Sequence, residues 1–290
     1  MKPKTISDFW DFVLEREKIR LRKLSKQPRP WTQNILLQNF VFCNIRREHD
    51  HGTVWYMEHV VPSAQGEFDD LLWKTVLYRA VNNVQWFEQV IEGMYPVFSR
   101  HEWQTHNNAI RSRIDNGPPP WSPAYIILQS PDGKDRKTHL YQLLEFLDKD
   151  LDALVWYMAG AAKLEEIWKR LQKIPYVGPF IALQIYRDLM LAGAFPNFSD
   201  NDFTYLGPGA RKGLEILSGQ HNYRVQYEFL KELLNQQPEY LEPKLTLGDL
   251  EHCVCEARKF WGLEEGGGRH RLYKPRETAV AGSSNVALTR

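Results

Sequence analysis

The sequence predicts an all-α fold, on three observations. Apolar residues recur at helical spacing along most of the 290 residues, Pro and Gly punctuate the joins, and one short stretch, "AYIIL" at 124–128, reads as a strand. Ser7, Asp8 and Asp11 open a first helix with Phe9, Trp10, Val13, Leu14, Leu21 and Leu24 on its apolar face, and Pro28 and Pro30 end it. Residues 33–48 continue as a helix until His49-Asp50-His51-Gly52 breaks the pattern. Two helices follow over 67–82 and 84–96, and "NGPPPWSP" at 116–123 makes a rigid loop before the strand. Helices over 138–159 and 161–173 lead to "KIPYVGPFIALQIYRDLM" at 173–190. After a loop at 193–208 come helices near 209–218, 223–235 and 246–261. Residues 263–290 are Gly/Ser-rich and basic and are expected to form a disordered tail. One helical domain over 1–262 remains, in one lobe or two interleaved ones.

Bulk composition narrows the class. Hydrophobic content of 43% with 25% charged residues is that of a soluble globular protein. The 10 Trp, 13 Tyr and 14 Phe suit large cores, and equally suit stacking on bases or sugars. A net charge of +1 provides no global basic field, yet seven Lys/Arg fall between Arg16 and Arg29. Cys43, Cys253 and Cys255 make neither a disulfide framework nor a four-cysteine zinc set. No run approaches the roughly 18 apolar residues of a membrane span, and the first helix is charged with no signal peptide before it. The expected address is cytosol or nucleus, away from membranes.

The joint at 173–190 is the first candidate site. Pro175 and Pro179 fix φ at the corner, Gly178 permits close approach, and Ile174 and Val177 turn inward. Helix, Ile-Pro-x-Val-Gly-Pro, helix is the pattern of a helix-hairpin-helix, in which hairpin amides, here those of Val177 and Gly178, meet a DNA phosphate. A plain corner between two packed helices can also contain Gly-Pro.

"GPGARKGL" at 207–214 is a second candidate anion site. Gly207 and Gly209 at a helix start leave amides available, and Arg211 and Lys212 add charge. It does not satisfy the P-loop pattern. A helix N-terminus with solvated basic residues accounts for it equally.

"FCNIRREHDHGT" at 42–53 places Asn44, Arg47 and His51 near one side of a helix end. Asn44, Arg47 and Asp50 are candidates for gripping a base edge, against the alternative of an exposed charged end. His49 and His51 are two residues apart, a poor ligand spacing, so no metal is expected. Near the C-terminus, "DLEHCVCEARKFW" puts Asp249, His252 and Glu256 on one helical face, which simple i, i+4 ion pairs would also explain.

The hairpin resembles that of the helix-hairpin-helix DNA glycosylases, whose catalytic Asp lies one helix and one loop beyond the hairpin. Asp200 and Asp202 occupy that zone, 22 and 24 residues after Gly178. Tyr176 stands where those enzymes carry the first hairpin glycine. Phe180 replaces the Schiff-base lysine of the lyase-type members, and the iron–sulfur cysteines of some are missing.

A second resemblance spans about residues 8–262. It rests on "PWTQNILLQNFVFCNIRREHD" (30–50), "YRAVNN" (78–83), "AYII" (124–127), "IPYVGPFIALQIYRDL" (174–189), "GPGARKGL" (207–214) and "LEHCVCEARKF" (250–260). In this order the blocks resemble the alpha-glutamyl/putrescinyl thymine pyrophosphorylases, also called amino acid:DNA transferases, and the related helical domain of 5-hydroxymethyluracil DNA kinases. The resemblance implies a glycosylase-like helical fold that takes double-stranded DNA with modified thymines. It also implies replacement of a phosphate or pyrophosphate on a 5-methylene thymine by an amine, with a separate 5-hydroxymethyluracil DNA kinase as possible partner and no cofactor. Asp202 is then the expected catalytic carboxylate, with Asp200 second, beside a flipped base whose reacting carbon is electron-poor. Asn44, Arg47 and Asp50 would line the base pocket, and Gly207, Gly209 and Arg211 would hold a phosphate. A glycosylase excising a modified base would use the same residues, and a non-catalytic DNA-binding module would need none of them.

Overall fold

The computed structural model describes residues 3–92, 103–121, 135–267 and 271–273. Its helices are α1 (Ile6–Leu24), α2 (Ile35–Asn39), α3 (His51–Trp55), α4 (Val61–Ser63), α5 (Phe68–Val81), α6 (Val84–Glu92), α7 (Trp103–Asn116), α8 (Arg136–Ala159), α9 (Leu164–Leu171), α10 (Pro179–Leu191), α11 (Pro208–Ser218), α12 (Tyr223–Asn235) and α13 (Leu247–Glu264). A π-turn at Tyr56–Val60 joins α3 to α4. Among the described residues the sole β feature is one antiparallel bridge between Phe40 and Leu272. The fold is all-α. The expected strand at 124–128 lies outside the described residues.

The helix ends follow from short-range chemistry. Thr5 and Asp8 form a reciprocal capping box at α1, and Thr246 and Asp249 form another at α13. Each satisfies two amides that a helix start leaves unbonded. The first helix therefore begins before Ser7, because Thr5 and not Ser7 is the cap.

Three expectations need correction. The helix anticipated over 33–48 stops at Asn39, and Val41 donates to Arg271 O at 3.0 Å while Tyr273 donates to Asn39 O at 2.7 Å. Extended backbone lets Phe42 and Ile45 both point into the core, so Asn44, Arg47 and His51 do not share a helix face. The same pairing places residues 271–273 against the fold, although the sequence assigns them to a disordered tail; most of that tail lies outside the described residues. Finally α7 was not anticipated; among its residues with described side chains, Ile110 and Ile114 are buried, a sparse apolar signal in "WQTHNNAIRSRIDN".

Two hydrophobic cores organise the molecule. One is continuous in sequence: residues of the α3–α4 run, α5, α8, α9 and α10 surround Leu72, Trp73, Val76, Leu143, Leu147 and Ile185. The other is assembled from both ends of the chain, with Phe9, Val13 and Ile45 packed against Leu214, Leu230, Val254 and Trp261. Lys4 and Glu264 pair across it at 2.7 Å. At the α11–α13 crossing, a Cβ on Gly209 would lie 2.3 Å from Cys255 Sγ, and one on Gly213 2.6 Å from Val254. Only glycine allows that approach.

Candidate nucleic-acid site

The α9–α10 corner is a tight hairpin. Ile174 and Val177 are buried, and the Val177 amide donates to Ile174 O at 3.1 Å. Tyr176 holds φ of 64°, the left-handed conformation that glycine adopts freely. Its ring stacks on His139 with centroids 4.1 Å apart and its hydroxyl bonds Gln142, contacts that offset the backbone cost. Gly178 caps α10 in extended conformation with open space where a Cβ would stand. The corner thus presents an exposed glycine and the positive end of α10 to solvent.

Beside it lies a cavity of about 810 Å³. Its walls include Trp168, Phe203, Tyr205, Tyr223 and Tyr227, with Lys163, Arg224, Lys231 and Asp202 also on its lining. Trp168 is stacked on Tyr205 at 5.0 Å and donates from Nε1 to Pro179 O at 2.9 Å, which ties the wall to the hairpin. Tyr223 and Tyr227 lie nearly parallel, 6.3 Å apart. Their hydroxyls accept from the Leu206 and Thr204 amides, so the phenols anchor the backbone that carries Phe203 and Tyr205. Burial pushes both phenol pKa values up. Arg211 sits 5.7 Å from the Tyr223 ring centre, while Lys212 is solvent-exposed.

The two candidate aspartates part company. Asp202 is exposed on the cavity wall, where Oδ2 accepts from the Ser199 amide at 2.7 Å. Asp200 turns toward a smaller cleft of about 220 Å³, lined also by Arg47, Arg187, Thr246 and Asp249. Its Oδ2 accepts from Arg187 at 3.0 Å and Thr246 Oγ1 at 2.5 Å, while Oδ1 is buried without a partner.

Asn44, Arg47 and Asp50 do not line the aromatic cavity. Asn44 Nδ2 donates to His49 O at 2.7 Å, and its amide donates to Asp50 Oδ1 at 2.9 Å. Arg47 enters a buried cluster that sequence reasoning missed. Its guanidinium donates to Asp188 at 2.8 Å and bonds Gln184, and Arg79 approaches the same carboxylate at 2.8 Å. Burial opposes the charge of Asp188, but Arg47 and Arg79 outweigh it and hold its pKa below the usual range. Next to it Arg187 bridges Asp249 at 2.7 Å and Asp200. Burial also opposes the Asp249 charge, and Arg187 again outweighs it, so this pKa too is lowered. The available signal was Arg79 in "VLYRAV" and Arg187-Asp188 in "IYRDLM", charged residues inside apolar helical runs.

The GPGARKGL segment also departs from expectation. The Gly207 amide is not available, since it donates to buried Glu251 Oε1 at 3.0 Å. Glu251 thus occupies the α11 N-terminus as the acceptor there, with burial raising its pKa. Gly209 serves the helix crossing described above. Cys43, Asp50 and His252 form a separate cluster of potential metal-ligating atoms.

Residues 3–265 match the family described as 5-hmdU DNA kinase, helical domain. A relative from Bacillus phage SP10, named 5-hmdU DNA kinase, is 25% identical over 292 residues. The match covers 89% of this chain but 46% of the relative, so the chain spans about half the length of that protein. No solved structure matches. With the match running from before α1 to the end of α13, the chain belongs to the 5-hmdU DNA kinase helical domain family.

Proposed function

We propose that this chain binds double-stranded DNA carrying a 5-hydroxymethyl- or phosphomethyl-uracil. The flipped base enters the aromatic cavity, and the 5-methylene leaving group is exchanged for an amine. One observation carries the reading: Asp202 lies on the wall of an aromatic cavity with cationic side chains, bonded through Trp168 to the hairpin. Stacked rings accept any base face and are worth about 1–3 kcal/mol per base in such sites. Lys163, Arg224 and Lys231 suit the neighbouring phosphates. A carboxylate beside the 5-methylene carbon would stabilise positive charge as the leaving group departs, or take the proton of the incoming amine. The family match supports modified thymine as the base, and a separate 5-hydroxymethyluracil DNA kinase would supply the phosphorylated leaving group. The hairpin would hold DNA through the exposed Gly178 amide, since that of Val177, also expected to meet a phosphate, is taken by Ile174 O. Arg211, beside Tyr223, would reach a phosphate at the same edge.

A second reading has its own observation. The Asp202–Ser199 bond is an ordinary turn cap, as expected of a non-catalytic binding module. The test uses duplexes with 5-hydroxymethyl- and phosphomethyl-uracil, an amine donor, and mass spectrometry of the bases. Base adducts made by wild type and by Asp200→Asn but not by Asp202→Asn support the exchange reading. Abasic sites would make the protein a glycosylase. No product, with binding retained, would leave the module reading. Gly178→Glu is a clean companion, because no atom lies within 4 Å of the added Cβ. It should abolish duplex binding at low salt while leaving helical circular dichroism unchanged.

A further inference from the structure

We infer that Cys43, Asp50 and His252 form a binding site for a zinc-class divalent transition metal, with the fourth position open. One ligand atom from each, a sulfur, a carboxylate oxygen and an imidazole nitrogen, lies within 4.8 Å of the other two. Zinc bonds of about 2.0–2.3 Å put tetrahedral ligands about 3.3–3.8 Å apart, so shifts of about 1 Å close the site. The thiol and imidazole select a borderline-soft ion over magnesium or calcium, which prefer oxygen. His252 Nε2 is buried with no hydrogen-bond partner, a condition that buried polar atoms rarely tolerate and that a metal would relieve.

The surroundings hold the ligands as metal sites require. Asp50 Oδ1 accepts from the Asn44 amide at 2.9 Å, and the Cys43 amide donates to Glu256 Oε2 at 2.9 Å. Glu256 is itself paired with Lys259 at 3.1 Å, so its charge is already matched. Arg16 lies close by and donates to the Cys43 carbonyl at 3.1 Å. Binding would displace one proton from the Cys43 thiol; the resulting thiolate, the Asp50 carboxylate and the divalent ion sum to zero charge. The ion would clamp the extended segment after α2 to α13, joining residues 209 positions apart in sequence.

The test is direct metal binding to the full chain, with Zn²⁺ and Co²⁺ alone as probes. After chelator treatment, wild type should bind one equivalent, and Co²⁺ should show a thiolate charge-transfer band in the near ultraviolet. Cys43→Ser should abolish the band. His252→Gln, which keeps size and polarity, should weaken Zn²⁺ by more than about 100-fold, beyond the ~10–100-fold of an outer-shell change. Added Zn²⁺ should raise the Tm of wild type and not that of His252→Gln. Less than stoichiometric binding by wild type would overturn the site. So would a band that survives Cys43→Ser, since Cys253 or Cys255 would then be the ligand. Unchanged affinity in His252→Gln would overturn it too, whether or not Cys43→Ser folds.

Discussion

The Arg47–Asp188–Arg79 cluster and the Asp202 cavity use the same kinds of side chain for opposite ends. In the first, a fully buried carboxylate takes hydrogen bonds from two guanidinium groups that are themselves buried. In the second, an exposed carboxylate has one backbone bond, and Arg224 and Lys231 remain in reach of water. Position in the fold, not residue type, decides which Arg and Asp can meet a ligand. Charges buried before a ligand arrives need internal partners, and charges that receive one keep access to solvent.

The largest effect expected from this contrast is on stability at Asp188. Asp188→Asn leaves two buried guanidinium groups short of a counter-charge and should cost about 3–5 kcal/mol, read by urea denaturation. The folded pKa values of Asp188 and Asp249 are lowered, so their contribution is present above the unfolded value of about 3.9 and is lost as pH falls through the folded values. Stability should therefore drop on acidification below about pH 4, and Asp188→Asn should flatten that drop. Asp202→Asn should behave in reverse, costing at most about 1 kcal/mol of stability but lowering single-turnover rate by roughly 10²-fold. Equal losses of stability in the two variants would erase the distinction. Between them stands Gly209→Ala, where the added methyl meets Cys255 and should cost about 1–3 kcal/mol with no direct effect on DNA contacts. The smallest effect belongs to Arg224→Ala, which should leave stability within about 0.5 kcal/mol and reduce the salt slope of DNA binding by about one.

What the sequence disclosed follows the range of the forces involved. Helices α5 and α8 to α13 were legible because cap, breaker and periodicity are local signals. The corner at Gly178 was legible for the same reason. The end of α2 was not, since Phe40 and Val41 are held extended by residues some 230 positions away. Asp202 could be singled out from its distance to the hairpin, but the aromatic wall combines Trp168 of α9 with Tyr223 and Tyr227 of α12. The Gly207 amide looked available until Glu251, 44 residues on, was seen to accept from it. Periodicity marks faces; it does not say which faces meet.

The chain-end core also bears on the order of events during synthesis. Residues 55–189 hold every buried member of the first core and emerge from the ribosome before α11, so that core can condense early. Helix α1 is made before all of that core, yet its apolar face packs on α13, more than 200 residues later. Closing so long a loop is an entropic toll that the finished core must offset. Until then Phe9, Trp10, Phe12 and Val13 lack their final cover, which makes α1 a segment suited to a chaperone's attention.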